Sequence, residues 1–80
     1  MDIEALRRVS EVRRMLASGQ ARKRRESLCM SLREVAAAMG KDPGSLSRWE
    51  SGEVQPRAQA ALQLADILGI TGAQRQDQAA

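Results

Sequence analysis

The side chains of this chain that are best suited to chemistry are cations, and most of them lie in one segment. Residues 7–25 contain Arg7, Arg8, Arg13, Arg14, Arg22, Lys23, Arg24 and Arg25. Only Glu11 opposes them there, although the net charge of the whole chain is just +3. A strongly basic segment is expected where a protein neutralises phosphates, but a solvated helix face has the same composition. Charge alone therefore leaves phosphate binding and simple solvation as equal alternatives.

Catalytic and metal chemistry lack the side chains that they need. The chain has one cysteine, Cys29, and no histidine, so these residues supply neither a nucleophile–base pair nor a cluster of metal ligands. We therefore expect no enzyme activity, no metal, no cofactor and no small-molecule substrate. A free cysteine usually behaves as a small apolar residue, so Cys29 is predicted to be a buried or half-buried structural residue.

The composition favours one small all-α domain. Eighty residues are near the lower limit for a chain that buries a core unaided, and 42% of them are hydrophobic. The apolar residues are aliphatic except for one Trp, which suits close helix packing better than a β-sheet. No apolar run is long enough to span a membrane, and no signal-peptide core opens the chain. We expect a reducing, cytoplasmic setting.

The N-terminal segment, residues 1–18, is predicted to form an extra amphipathic helix. Its apolar residues recur at helical spacing and are Ala5, Leu6, Val9, Val12 and Leu16. This face could pack back on its own domain, pair with its counterpart in a second copy, or lie on a membrane surface. The absence of Trp and Phe from the segment disfavours the membrane, and the other two alternatives remain open.

Local signals also define the segments that flank the centre of the chain. Ser18 is expected to cap a second helix, from Gly19 to about Leu28, which carries the second half of the basic segment. A later helix from Arg57 to Leu68 is predicted to end at Gly69. Residues 70–80 show no pattern and are predicted to form a flexible tail.

The central stretch, residues 31–52, has the spacing of two short helices joined by a tight turn. Ser31 and Glu34 form a capping box, in which each side chain accepts a hydrogen bond from the backbone of the other. Asp42 is a good N-cap for the next helix, and Pro43 suits its first position because the missing N–H would have no partner there. These residues predict where both helices begin.

A helix-turn-helix makes three demands that this stretch meets. A small residue is needed where the helices cross, and Ala36 supplies it. A residue that tolerates positive φ must open the turn, and Gly40 supplies it. Both helices must turn apolar residues inward, which Val35, Met39, Leu46 and Trp49 can do. Trp49 is therefore predicted to lie in the core rather than to stack on a ligand.

With these motifs the chain resembles the phage repressor/Cro family of helix-turn-helix proteins. The usual run in that family is Leu-Ser-x-x-x-Leu-Ala-x-x-x-Gly, then Ser-x-x-Glu-x-Gly, a Pro and a Leu-Ala-x-x-Leu helix. The matching residues here are Met30-Ser31, Val35-Ala36, Gly40, Ser47-Arg48-Trp49-Glu50-Ser51-Gly52, Pro56 and Leu64-Ala65-Asp66-Ile67-Leu68. The resemblance covers residues 19–69 and implies a lambda-repressor-like DNA-binding domain within a compact bundle of about five helices.

The resemblance also implies that the second helix of the motif lies in the major groove of double-stranded DNA. The family's usual base-reading positions hold Pro43, Gly44, Ser47 and Arg48 here. Pro43 and Gly44 depart from the pattern because they have no side-chain donor or acceptor. Arg48 is then the side chain that can make a strong bidentate contact, to O6 and N7 of guanine.

Other side chains receive supporting roles. Those expected to contact phosphates are Arg22, Lys23, Arg33, Lys41, Ser45, Gln55 and Arg57. In the family an Arg of the first domain helix commonly pairs with the Glu of the recognition helix, which implies a bracing pair between Arg25 and Glu50. Glu53 stands where a basic residue is frequent, and Cys29 replaces a common Gly. These two departures weaken the match in the two turns concerned.

The resulting hypothesis is a sequence-specific DNA-binding transcription regulator, most simply a repressor of phage, plasmid or bacterial origin. One module of 80 residues reads too few base pairs for a unique site, which favours a homodimer through residues 2–17. The alternative is a protein-interaction module, such as an antitoxin or an adaptor, because the same fold hosts such functions.

Overall fold

The computed structural model of the chain describes residues 1–70, and this part is built from helices alone. The five helices are α1 (Ile3–Ser18), α2 (Gln20–Ser27), α3 (Leu32–Met39), α4 (Pro43–Glu50) and α5 (Ala58–Leu68). Their number and the absence of strands from residues 1–70 confirm the predicted all-α fold. None of these helices is both long and apolar enough to cross a membrane.

α1 and α2 are separated by a single glycine. Asp2 begins α1, since its carboxylate accepts a hydrogen bond from the Ala5 N–H at 2.7 Å. Gly19 ends α1 with φ 83°, a left-handed conformation that glycine adopts at little cost. The prediction that Ser18 caps α2 is wrong, because Ser18 is still helical and its side chain points back along α1. Its hydroxyl donates to the Met15 carbonyl at 3.2 Å.

Side-chain caps begin α3 and α4 as the sequence predicts. The Ser31 hydroxyl accepts from the Glu34 N–H at 3.0 Å, and the Glu34 carboxylate accepts from the Ser31 N–H at 2.9 Å. The hydrogen bond from the Ser31 backbone is the main reason that the pKa of Glu34 is lowered, and the Ser31 hydroxyl adds to it. At α4 the Asp42 carboxylate accepts from the Gly44 N–H at 2.9 Å, and Pro43 is the first helical residue.

One hydrophobic core receives side chains from all five helices, and α1 contributes to it directly. Val9, Val12 and Leu16 form the inner face of α1, with exposed fractions of 1%, 0% and 3%. The main partner of α1 is α5. Leu6, which the sequence places beside this face, is instead 58% exposed. The inner face of α1 is therefore covered by the chain's own core and not by a membrane or a second copy.

Two residues differ from the sequence-based expectation because of the turns in which they stand. Ile70, the first residue of the predicted tail, is buried, since the chain turns at Gly69 and the Ile70 N–H donates to the Ala65 carbonyl at 2.8 Å. The rest of that tail, residues 71–80, lies outside the described residues. The prediction that Cys29 is at least half-buried is wrong, because this residue is exposed in a surface turn with φ 59°.

Candidate nucleic-acid interface

α3 and α4 pack together through small and apolar residues. Ala36 on α3 and Leu46 on α4 are both fully buried. Gly40 ends α3 with φ 68°, so that the chain turns sharply into α4. Trp49 is 8% exposed and belongs to the core. This packing leaves α4 with one face inward and the other on the surface.

A buried ion pair joins α4 to α2. The Arg25 guanidinium donates from Nε to one carboxylate oxygen of Glu50 at 2.7 Å and from Nη2 to the other at 3.0 Å. Each of the two side chains is 10% exposed. Arg25 also donates from Nη1 to the Met30 carbonyl at 2.9 Å. Its hydrogen bonds to Glu50 raise the pKa of Arg25, although burial opposes this shift. The pair ties α4 both to α2 and to the turn that precedes α3.

The outward face of α4 carries the four positions that the resemblance assigns to base reading. Ser47 and Arg48 are exposed, whereas Pro43 and Gly44 are half-buried. A Cβ built on Gly44 would lie 3.7 Å from Nη1 of Arg48 and 2.7 Å from Oδ2 of Asp42. The Arg48 guanidinium therefore reaches back over Gly44, one helical turn toward the start of α4. Glycine at this position leaves room for both the cap and the guanidinium.

Two clefts flank this face. The first lies between α2 and α4 and is lined by Arg22, Arg25, Leu32, Ser47, Glu50 and Ser51. The second borders the loop 51–57, which joins α4 to α5, and is lined by Lys41, Trp49, Val54, Gln55, Pro56, Arg57 and Ala60. Lys41 and Arg57 also share an adjoining depression. The structure thus brings Arg22 to one side of α4 and groups Lys41, Gln55 and Arg57 on the other.

Three of the side chains expected to contact phosphates lie outside these clefts. Ser45 is half-buried on α4, Arg33 is exposed in the first turn of α3, and Lys23 is exposed on α2. Within residues 1–70, neither Arg33 nor Lys23 forms an ion pair. These three residues are therefore reachable from solvent to different degrees but do not share one depression.

Most cations of the basic segment form hydrogen bonds or ion pairs with other groups of the same chain. Three arginines donate to backbone carbonyls far away in sequence: Arg8 to Ile70 at 3.3 Å, Arg13 to Pro56 at 3.2 and 3.1 Å, and Arg24 to Leu68 at 2.9 Å. The ion pairs of the segment are Arg8–Asp66, Arg14–Glu11, Arg22–Glu26 and Arg25–Glu50. The charge run therefore reflects internal bonding to a large extent. Sequence reasoning missed this, because a backbone carbonyl as a partner leaves no signal in residue types.

The described residues also contain an apolar groove between α3 and the end of α5. It is lined by Cys29, Met30, Glu34, Val35, Ala38 and Ile67. Its one carboxylate, on Glu34, is already engaged in the capping box. Within residues 1–70, no group of three or more His, Cys, Asp or Glu side chains is placed to hold a metal ion. The groove thus offers apolar surface and one occupied carboxylate.

Comparison with known families agrees with this architecture. The family model described as helix-turn-helix matches residues 22–74, which is more than half of the chain. No curated protein and no solved structure matches the chain. The matched residues include the capped pair α3 and α4, the Arg25–Glu50 brace and α5, whereas α1 precedes them. The chain therefore belongs to the phage repressor/Cro-type helix-turn-helix family, a family of DNA-binding regulators.

Proposed function

We propose that this protein is a transcription regulator that binds double-stranded DNA sequence-specifically, and that it acts as a repressor of phage, plasmid or bacterial origin. In this proposal α4 enters the major groove, while the segments on either side of it hold phosphates. A protein that works on the chromosome of such a cell acts in its cytoplasm, together with the nucleoid.

The observation that carries the proposal is the set of unpaired cations around α4. Within residues 1–70, Arg33, Lys41, Arg48 and Arg57 form no ion pair, although four arginines of the basic segment do. An unpaired guanidinium or ammonium can bind a phosphate or a base edge without first giving up an internal partner. These cations belong to α3, to the two turns beside α4 and to α4 itself, and in this proposal they act together on one DNA duplex.

The start of α5 adds a second source of positive potential to this surface. Arg57 is the N-cap residue of α5, and its side chain makes no capping hydrogen bond. The first N–H groups of a helix without such a cap remain available to an acceptor, and the helix dipole favours a negative charge there. Lys41 and Arg57 line the depression beside this helix start. A DNA phosphate is the acceptor that this arrangement fits.

The outward face of α4 offers few side chains that can recognise a base. Arg48 can donate to O6 and N7 of one guanine, and Ser47 can reach a neighbouring base or phosphate. Pro43 can only make an apolar contact, such as one with a thymine methyl. We therefore propose that one G·C pair in each half-site supplies most of the direct recognition.

We further propose that two copies bind together as a homodimer. α4 is eight residues long, so one copy reads few base pairs, and two copies on symmetric half-sites would lie about 34–36 Å apart. The dimer contact must use a surface other than Val9, Val12 and Leu16, which are buried within the chain. Measuring mass in solution and stoichiometry on DNA tests this. A protein that is monomeric in both states, on a site without two-fold symmetry, would contradict it.

The test of the proposed function is selection of duplexes from a random pool by the full chain. We expect one sequence to be enriched and to bind at least about 10³-fold more tightly than an unrelated duplex. Both affinities should fall as salt is raised, because counterions are released from the phosphates. No enrichment together with no salt-dependent binding would contradict the proposal and favour a module that holds another protein.

A further inference from the structure

We propose that Arg13 is a positioning residue for DNA binding, through which α1 holds the loop 51–57 and the phosphate-contacting side chain of Arg57 in place. This inference rests on the proposed function. It assigns to α1 a part in binding, although α1 precedes the residues 22–74 that the family model matches.

The contact between Arg13 and the loop joins two donors of one guanidinium to one carbonyl oxygen. The Arg13 guanidinium donates from Nε and from Nη2 to the Pro56 carbonyl, at 3.2 and 3.1 Å. That carbonyl belongs to the peptide unit that joins Pro56 to Arg57. Two donors converging on one oxygen restrain the position of that oxygen, and through it the peptide unit that precedes the Arg57 side chain. Pro56 itself is buried, and the two hydrogen bonds to its carbonyl are part-buried.

The second half of the loop has one other backbone restraint within the described residues, since the Arg57 carbonyl accepts from the Ala61 N–H at 2.9 Å. Its first half is held because the Glu53 and Val54 N–H groups donate to the Arg48 carbonyl, at 3.0 and 3.3 Å. Within the described residues, the backbone of residues 55–57 donates no hydrogen bond to another backbone group. The Arg13 fork therefore restrains the part of the loop that carries Arg57.

The start of the loop also lies close to α1. A Cβ built on Gly52, which has φ 80°, would lie 3.9 Å from Cα of Ala17 in the last turn of α1. Arg13 and Ala17 are four residues apart and lie on the same side of the helix. The loop thus lies beside α1 at its start and is hydrogen-bonded to α1 near its end.

The same helix supplies a matched control. Arg8 makes a similar contact, since its Nε donates to the Ile70 carbonyl at 3.3 Å and it pairs with Asp66. Arg8, however, holds the C-terminal end of α5. Arg57 stands at the other end of that helix, roughly 16 Å away for 11 residues. Replacing Arg8 removes a comparable internal interaction without touching the DNA-facing loop.

The first experiment needs no DNA. Amide hydrogen exchange is measured on the free full-length protein as wild type, Arg13→Met, Arg13→Lys and Arg8→Met. We expect Arg13→Met to speed exchange selectively at the Ala61 N–H, which donates to the Arg57 carbonyl at 2.9 Å, and at the loop N–H groups of Glu53 and Val54. Arg13→Lys should fall between Arg13→Met and the wild type, and Arg8→Met should leave these amides unchanged. Exchange that accelerates equally throughout the protein in Arg13→Met would overturn the positioning role.

The second experiment is a double-mutant cycle on duplex binding, using Arg13→Met and Arg57→Gln. Each single change should weaken binding and reduce the salt slope by about 0.9, the value that corresponds to one phosphate. In the Arg57→Gln background, Arg13→Met should have less than about a twofold further effect. If the losses of affinity caused by Arg13→Met and Arg57→Gln multiply in full in the double variant, Arg13 contacts DNA itself. That result would refute the proposal. A wild type that binds no duplex would remove the proposed function, while the exchange data would still decide whether Arg13 orders the loop.

Discussion

The Arg25–Glu50 pair gives the most demanding prediction about how α4 is held. Within the described residues, Glu50→Ala leaves the buried Arg25 guanidinium with one hydrogen-bond partner, the Met30 carbonyl, and with the charge of Glu26 nearby. Arg25→Met leaves the Glu50 carboxylate without its two donors. The double variant Arg25→Met/Glu50→Leu removes both charges together and fills the space with apolar groups. Comparing the free energies of unfolding of the three variants separates the cost of leaving one buried charge without its partner from the net contribution of the ion pair to stability.

The expected magnitudes follow from burial. Both side chains are 10% exposed, and removing one partner of a buried pair typically costs about 3–5 kcal/mol. We expect about 3 kcal/mol for Glu50→Ala, because Arg25 keeps a hydrogen bond and borders a cleft that opens to solvent. An 80-residue chain has a total stability of about 4–12 kcal/mol, so this is a large share of it. The double variant should be more stable than either single variant, since neither charge is then stranded.

The assay is urea unfolding, monitored by the fluorescence of Trp49. This residue is the only tryptophan of the chain, is buried, and directly precedes Glu50. With a slope of about 1 kcal/mol per molar urea for so small a domain, Glu50→Ala should lower the midpoint by about 3 M. Arg22→Gln is the control, because its pair with Glu26 is 54–65% exposed and such pairs contribute under about 1 kcal/mol. Single variants no less stable than the control, or a double variant less stable than both, would refute the reasoning.

Two further predictions concern charge at other positions. Neutralising Arg22 and Lys23 together should weaken binding to all duplexes alike and lower the salt slope by about 0.9 for each phosphate that is no longer bound, whereas an unchanged slope would show that both side chains are only solvated. Glu34 has a lowered pKa in the folded protein, so its stabilising effect is present at neutral pH and disappears as the pH falls below 4.5 through the folded pKa. Acid titration of unfolding should therefore show a steeper decrease of stability in the wild type than in Glu34→Gln, and parallel curves would contradict the capping-box account.

The sequence predicted the helix-turn-helix well because its determinants are local. Ser31 with Glu34 and Asp42 with Pro43 act within one helical turn, so their spacing alone indicates where α3 and α4 begin. Gly40 likewise ends α3 through its own backbone conformation. Each of these effects depends on residues fewer than five positions apart, so the spacing of residue types along the sequence is enough to predict it.

The hydrogen-bond partners of the long basic side chains could not be predicted in the same way. Arg13 and Pro56 are 43 residues apart, and the acceptor is a backbone carbonyl that every residue type possesses. Only the packing of α1 across the domain brings the two together. The burial of Val9, Val12 and Leu16 raises the same difficulty, since an amphipathic pattern shows that a face must be covered but not what covers it.

Turn conformations account for the remaining differences. Ser18 has the residue type of an N-cap, yet α1 continues through it and the bend falls at Gly19. Cys29 adopts φ 59° where the family commonly has Gly, so a residue that is usually buried is held at the surface. In both cases the backbone geometry of the junction overrides the preference of the side chain.

The most direct test of the central claim is the base-preference profile of wild-type protein and Arg48→Ala, measured on every single-base-pair variant of the selected duplex. We expect Arg48→Ala to bind that duplex more weakly by about 1–3 kcal/mol and to lose its preference at one G·C pair in each half-site. Arg57→Ala, the control, should weaken binding to all variants alike and keep the profile. An Arg48→Ala protein with the wild-type profile and affinity would show that α4 does not read the major groove through Arg48.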